Sequence, residues 1–222
     1  MTDIDIPDLV GPTLGPTAGG APEQIVILCH GLGADGNDLI GLAPYYARKL
    51  PHAVFHSPNA PLRCDMAAYG YQWFSFQTRT PENMLAGVRT ARPILDRFID
   101  RQLEKYDLPP EKLALVGFSQ GTMMSLFTAP RRVKPIAGVV GYSGRLIGPE
   151  VFAAEVKSKP PVLLINGDAD ELIPASDQAP AVAALTAAGI SVEAHIRKGL
   201  PHSIDEEGIE QGTDFLARVL RA

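Results

Sequence analysis

Leu113-Ala114-Leu115-Val116-Gly117-Phe118-Ser119-Gln120-Gly121 decides the fold. An apolar run ends in glycine, a serine follows between small neighbours, and 120–129 continues as a helical pattern that Pro130 halts. This is G-x-S-x-G set between a strand and a helix. Small residues flank Ser119 because such a turn is sharp and crowded. The turn lifts the hydroxyl into the open, and the following helix N-terminus aims amides at it. The motif alone is common, and a glycine-rich structural turn with an idle serine would read the same. Its strand–turn–helix setting is what distinguishes it.

The pattern extends in both directions. Short apolar runs bounded by Gly, Pro or Asn recur at 25–30, 53–57, 113–117, 135–142 and 161–166, as buried parallel strands should. A sixth, 191–197, alternates more and reads as an edge strand. Helical patterns lie between them. Residues 38–50 start with Asp38 as the expected N-cap. Thr80-Pro81-Glu82 opens a second helix, with a cap, a proline at the first position and an acid at the positive dipole end. Met84, Val88, Ala91, Leu95 and Phe98 then share one face, and Pro93 is expected to kink or split the segment. Residues 174–188, closed by Gly189, and 204–220 complete the set. The Gly- and Pro-rich stretch 1–22 reads as irregular chain or short edge-strand material. The alternation predicts an α/β fold with a mostly parallel central sheet flanked by helices, and ligands at the C-terminal strand ends.

A serine hydroxyl needs a base. Of five histidines, His52, His56 and His195 lie beside or inside strands and read as structural or solvent-facing. His202, in Gly199-Leu200-Pro201-His202-Ser203, follows the last strand and can reach over the strand ends. The base needs an acid to fix its tautomer. Gly167-Asp168-Ala169-Asp170-Glu171 follows the 161–166 strand, and spacing leaves both Asp168 and Asp170 open, with Glu171 solvated. The order Ser, Asp, His along the chain is that of α/β-hydrolases. An oxyanion also needs donors. The Gln120 amide is one; the second is expected from His30-Gly31-Leu32-Gly33-Ala34-Asp35-Gly36, with Leu32 N–H as donor and His30 bonding within the loop. A phosphate cradle is the rival reading of this loop, but it lacks G-x-x-x-x-G-K-[ST] and a third glycine at dinucleotide spacing.

Four motifs occur together and in order: His30-Gly31-Leu32-Gly33-Ala34-Asp35-Gly36-Asn37-Asp38-Leu39, Gly117-Phe118-Ser119-Gln120-Gly121, Gly167-Asp168-Ala169-Asp170 and Pro201-His202. Over about residues 25–215 the chain resembles the phospholipase/carboxylesterase family, which includes acyl-protein thioesterases and small bacterial carboxylesterases. The resemblance implies Ser119, Asp170 and His202 as a catalytic triad, with Leu32 and Gln120 as oxyanion donors, and it raises Asp170 over Asp168. Gln72-Trp73-Phe74 resembles a family segment near the substrate, which makes Trp73 and Phe74 substrate-binding candidates; a core anchor is the equal alternative for Trp73. The chain departs from the eukaryotic thioesterases at 58–80, where Arg63, Asp65, Tyr69, Tyr71 and Arg79 make a polar mix in place of an acyl-channel loop.

The function expected is that of a serine carboxylesterase acting on esters, with thioesters in reach; acyl-protein thioesterase or lysophospholipase is the alternative. Activity should rise with pH through roughly 6–7, since the base must start neutral. Dienelactone hydrolases, neighbours on the fold, carry Cys where Ser119 stands. A non-catalytic ligand-binding member would have lost a triad or oxyanion position, and none is lost.

The 222 residues suit a single domain, 1–222, and leave no room for a separate cap; 58–80 is the expected loop over an exposed, shallow site. The net charge of −5 and the absence of a basic stripe argue against nucleic acid as a partner. Cys29 and Cys64 make no disulfide framework, and Cys29 reads as a buried thiol. The N-terminus is acidic and broken by Pro7, unlike a secretory signal, and no run approaches the ~18 apolar residues of a membrane span. The expected setting is cytoplasmic, with a small acyl ester or thioester as partner, no stable membrane insertion, no cofactor and no metal. A homodimer is left open.

Overall fold

Successive residues of a strand point to opposite faces, so runs that are apolar throughout require cover on both sides. A computed structural model describes residues 8–221; residues 1–7, including most of the acidic stretch weighed above against a secretory signal, lie outside the described residues. The elements are β1 (Thr13–Leu14), β2 (Gln24–Cys29), α1 (Gly36–Ile40), α2 (Ala43–Ala47), β3 (Ala53–His56), β4 (Leu62–Arg63), β5 (Tyr71–Gln72), α3 (Pro81–Tyr106), β6 (Leu113–Phe118), α4 (Gln120–Thr128), β7 (Gly138–Tyr142), α5 (Pro149–Glu155), β8 (Val162–Gly167), α6 (Gln178–Ala187), β9 (Val192–Arg197) and α7 (Glu206–Arg221). The main sheet runs β1-β3-β2-β6-β7-β8-β9. Its pairs are parallel except β1 with β3.

The two faces are distinct. Ile25, Ile27, Leu113, Leu115, Val139, Val162 and Leu164 join a core with residues of α3, α4, α5 and α6. Val26, Leu28, Ala114, Val116, Val140, Leu163 and Ile165 join a second core with α1, α2 and α7. Three layers follow from this alternation. Strand β9 lies at one edge, as its pattern predicts, and the short β1 lies at the other. No helix among the described residues is long and apolar enough to cross a membrane.

Several local expectations are corrected. Residues 38–50 form two short helices, α1 and α2, because Pro44 cannot donate to a preceding turn and instead sits in the first turn of a new helix. The N-cap is Asp35, whose side chain accepts from Asn37 N–H at 2.8 Å; Asp38 falls in the first turn. Pro93 does not split α3, which runs unbroken for 26 residues. Met84, Val88, Ala91, Leu95, Phe98, Ile99 and Leu103 are buried along it. At about 1.5–3 kcal/mol for each large side chain, their burial exceeds the ~3 kcal/mol of one interior proline. The connection 143–161 holds a helix, α5, that composition hides; Pro149 starts it after Gly148 at φ 66°. Within 58–80, β4 and β5 pair as a small antiparallel ribbon.

Candidate active site

Ser119 stands between β6 and α4 at φ 54°, ψ −116°, a strained conformation for a residue other than glycine. The neighbours over-determine it. Ser119 N–H donates to Tyr142 O at 2.9 Å, at the end of β7, and Ser119 O accepts from Met123 N–H at 3.2 Å. Thr122 Oγ1 lies 2.8 Å from both Gly117 O and Tyr142 O. The two glycines of G-x-S-x-G are required by crowding. A Cβ on Gly121 would sit 1.8 Å from Cys29 O, and one on Gly117 would sit 2.4 Å from Thr122 N. The turn therefore presses α4 directly against the end of β2, which carries the loop beginning at His30.

That loop brings Gly31 beside Ser119: a Cβ on Gly31 would lie 3.3 Å from Ser119 Cβ. Gly33 N–H is taken by Tyr71 O at 2.8 Å and Ala34 N–H by Gly31 O at 3.3 Å. Among the described residues Leu32 N–H makes no hydrogen bond. Gln120 N–H, at the first position of α4, has no partner within the helix. Two unspent amides thus border the serine.

His202 lies after β9 and Asp170 after β8, on strands paired in parallel through Gly167 and Arg197. The pairing makes the two loops neighbours. Ala169 N–H donates to Leu200 O at 3.2 Å, and a Cβ on Gly167 would strike Leu200 O at 1.9 Å. Asp170, its side chain fully buried, accepts from Leu172 and Ile173 N–H at 2.9 Å each through Oδ1. Its Oδ2 accepts from His202 Nδ1 at 2.7 Å. The His202 ring packs 4.9 Å, centroid to centroid, from Phe118, the residue before Ser119. With Nδ1 committed to Asp170, Nε2 is the free nitrogen on this ring.

The other candidates go elsewhere. Asp168 Oδ1 accepts from Gly199 N–H at 2.6 Å, tying the two loops together instead of capping its own turn, because the parallel strand ends lie side by side. Glu171 is exposed. His30 is spent twice, Nδ1 donating to Gly31 O at 2.7 Å and Nε2 accepting from Ala60 N–H at 2.9 Å; burial pushes its pKa down. His56 is buried between Thr13 and Tyr106, His52 sits beside Glu23, and His195 is exposed on β9. Cys29 is buried and free, its thiol pushed up to about 12 by burial.

Trp73 and Phe74 are 1% and 3% exposed. They also wall an apolar cavity of about 280 Å³ with Leu62, Gly87 and Ile94. Ser119 is 9% exposed as a residue, and the β4–β5 ribbon is tied to the 30–36 loop beside it through Gly33 N–H to Tyr71 O and Tyr71 N–H to Ala34 O. One contributor went unseen in the sequence. Ser143, at φ 45° after β7, donates through Oγ to Ser203 O at 3.1 Å and so holds the loop of His202. Only its place at a strand end could have flagged it.

A mostly parallel sheet in this order, with a strained serine turn after the central β6 and an Asp–His pair after β8 and β9, defines an α/β-hydrolase-fold enzyme. Residues 17–220 match the model of the Phospholipase/Carboxylesterase family, and the chain belongs to that family. It is 39% identical to the crystallised esterase PE8, with a TM-score of 0.92 over 96% of this chain and 100% of that one. It is 29% identical to acyl-protein thioesterase 1 homolog 1 of Dictyostelium discoideum, over 88% of this chain and 90% of that protein. It is 27% identical to esterase YpfH of Escherichia coli strain K12, over 87% and 82% respectively. The protein is a hydrolase of the carboxylesterase and thioesterase class.

Proposed function

We propose that Ser119 is the nucleophile of a serine carboxylesterase, with His202 as base, Asp170 as its orienting acid, and the Leu32 and Gln120 amides as oxyanion donors. The observation that carries this is the 2.7 Å bond from His202 Nδ1 to Asp170 Oδ2 beside the strained Ser119 turn. In the first half, Ser119 Oγ attacks the acyl carbon while its proton passes to His202 Nε2. The carbonyl electrons move onto oxygen, where the two amides receive them. The tetrahedral adduct collapses, the bond from acyl carbon to the leaving oxygen or sulfur breaks, and His202 returns the proton to the leaving alcohol or thiol. In the second half, water attacks the acyl-enzyme, His202 accepts its proton, and the carboxylic acid leaves as Ser119 regains a proton.

Phe74 is the substrate-binding candidate in this reading, on the apolar cavity it lines, while Trp73, 1% exposed, takes the alternative of a core anchor. The name of the Dictyostelium relative supports acyl-protein thioesters as the alternative substrate, and a lysophospholipid has the same ester chemistry. In this reading the catalytic unit is one domain, with no separate cap among the described residues, and a cytoplasmic setting is the one proposed. A series of nitrophenyl esters and acyl thioesters of increasing chain length, compared by kcat/KM, tests the reading. A peak among short oxygen esters supports the carboxylesterase; a peak among long thioesters replaces it with the thioesterase.

A further inference from the structure

We infer that the segment 70–74, at the end of the β4–β5 ribbon, is a strut that sets the spacing of the oxyanion donors, with Trp73 as a positioning residue. This rests on the reading of Leu32 and Gln120 as those donors. The strut grips the first donor's loop on both sides of Leu32. Upstream, Trp73 Nε1–H donates to His30 O at 3.0 Å. Downstream, Gly33 N–H donates to Tyr71 O at 2.8 Å, and Tyr71 N–H donates to Ala34 O at 2.8 Å. His30 is itself fixed by its two ring bonds to Gly31 and Ala60.

The same segment grips the second donor. Trp73 N–H donates to Gln120 Oε1 at 2.8 Å, and Gln120 Nε2 donates to Phe74 O at 2.8 Å. The side chain of Gln120 is therefore spent holding the strut, while its backbone amide stays free for the oxyanion. Trp73, Gln120 and His30 are all buried, so water does not compete for these bonds. Gly70 marks where the ribbon backbone meets the oxyanion loop: it has φ 83°, and a Cβ there would lie 2.0 Å from Gly33 O. A tryptophan that only filled the core would need neither of its N–H groups aimed at the two donor segments. Oxyanion stabilisation depends on donors held in place before the charge develops, and this strut supplies the holding.

The test compares wild type with Trp73→Phe, which keeps most of the ring volume and deletes the indole N–H, and with Gly70→Ala, which removes no core packing. Each is measured for kcat and KM on a nitrophenyl ester, for the pH midpoint of kcat/KM, and for inhibition by a trifluoromethyl ketone, whose serine adduct carries an oxyanion. The expected result is a fall in kcat of about 10-fold, below the ~10²–10³ of losing a donor outright. KM should stay within roughly twofold, and the ketone's Ki should rise by the same factor as kcat/KM falls. The pH midpoint should not move. A folded Trp73→Phe enzyme with wild-type kcat and Ki overturns the inference, as does a rise in KM alone or a shifted pH midpoint. If Trp73→Phe does not fold, Gly70→Ala decides by the same criteria. Wild-type protein that neither turns over the ester nor binds the ketone overturns the catalytic reading, and the strut with it; active wild type with unaffected variants overturns the strut alone.

Discussion

Asp170 Oδ2 accepts a 2.7 Å hydrogen bond from His202 Nδ1 while Asp170 Oδ1 accepts from two backbone amides, so the carboxylate is fixed from both ends before it orients the imidazole. Asp170→Asn would present an amide N–H to His202 or to the Leu172 and Ile173 amides, and in the former case would favour the wrong tautomer. The expected result is a loss of kcat of about 10⁴, as for an orienting acid in a triad. Asp168→Asn, at a side chain that accepts from the Gly199 N–H, should cost less than about 10-fold. Kinetics of both variants, each checked for folding by circular dichroism, separate them; equal losses would deny Asp170 its particular role.

Stability should fall in acid through two buried histidines. Burial, with Lys105 adding, pushes His56 down to about 4, and burial also lowers His30. In the unfolded chain both take up a proton near pH 6.5. Between that pH and the folded value the unfolded state binds more protons, so stability is complete above about 6.5 and declines as pH falls towards 4. The slope is at most about 1.4 kcal/mol per pH unit for each group. Chemical denaturation across pH 4–7 measures it, and His56→Gln should flatten the slope. A denaturation midpoint independent of pH in that window would contradict the assignment.

Crowding at the serine turn makes a separate prediction. Gly121→Ala drives a methyl into Cys29 O, which is backbone and cannot swing aside. The expected cost is about 1–3 kcal/mol or more, with activity lost as α4 is pushed from β2. Gly15→Ala, with nothing within 4 Å of the added Cβ, should leave both stability and activity unchanged. Urea midpoints of the two variants check the contrast.

These predictions rest on parts of the molecule that were not equally legible. The strand runs could be read because both faces of the sheet are covered, so Ile25 to Cys29 and Leu113 to Val116 are apolar without a break. The glycines of the serine turn could be read because their crowding is local backbone geometry. Spacing could not choose between Asp168 and Asp170, because both carboxylates accept backbone amides in loops that parallel strands bring together, and the bond of Asp170 to the His202 ring is what separates them. The β4–β5 ribbon was hidden because two-residue strands have no periodicity. The buried side chain of Gln120 was hidden because its partners, Trp73 and Phe74, lie 47 and 46 residues away. Pro93 did not split α3 because the helix rule is local, whereas the burial that overrides it is tertiary.

The central claim is the covalent role of Ser119, and active-site labelling tests it most directly. Wild-type protein treated with a fluorophosphonate should gain one adduct per chain, mapped by peptide mass spectrometry to Ser119, with ester hydrolysis lost in step. Ser119→Ala should take up no label and lose about 10⁴–10⁶ in kcat. An adduct on another residue, or a folded Ser119→Ala protein that keeps more than a tenth of wild-type turnover, would contradict it.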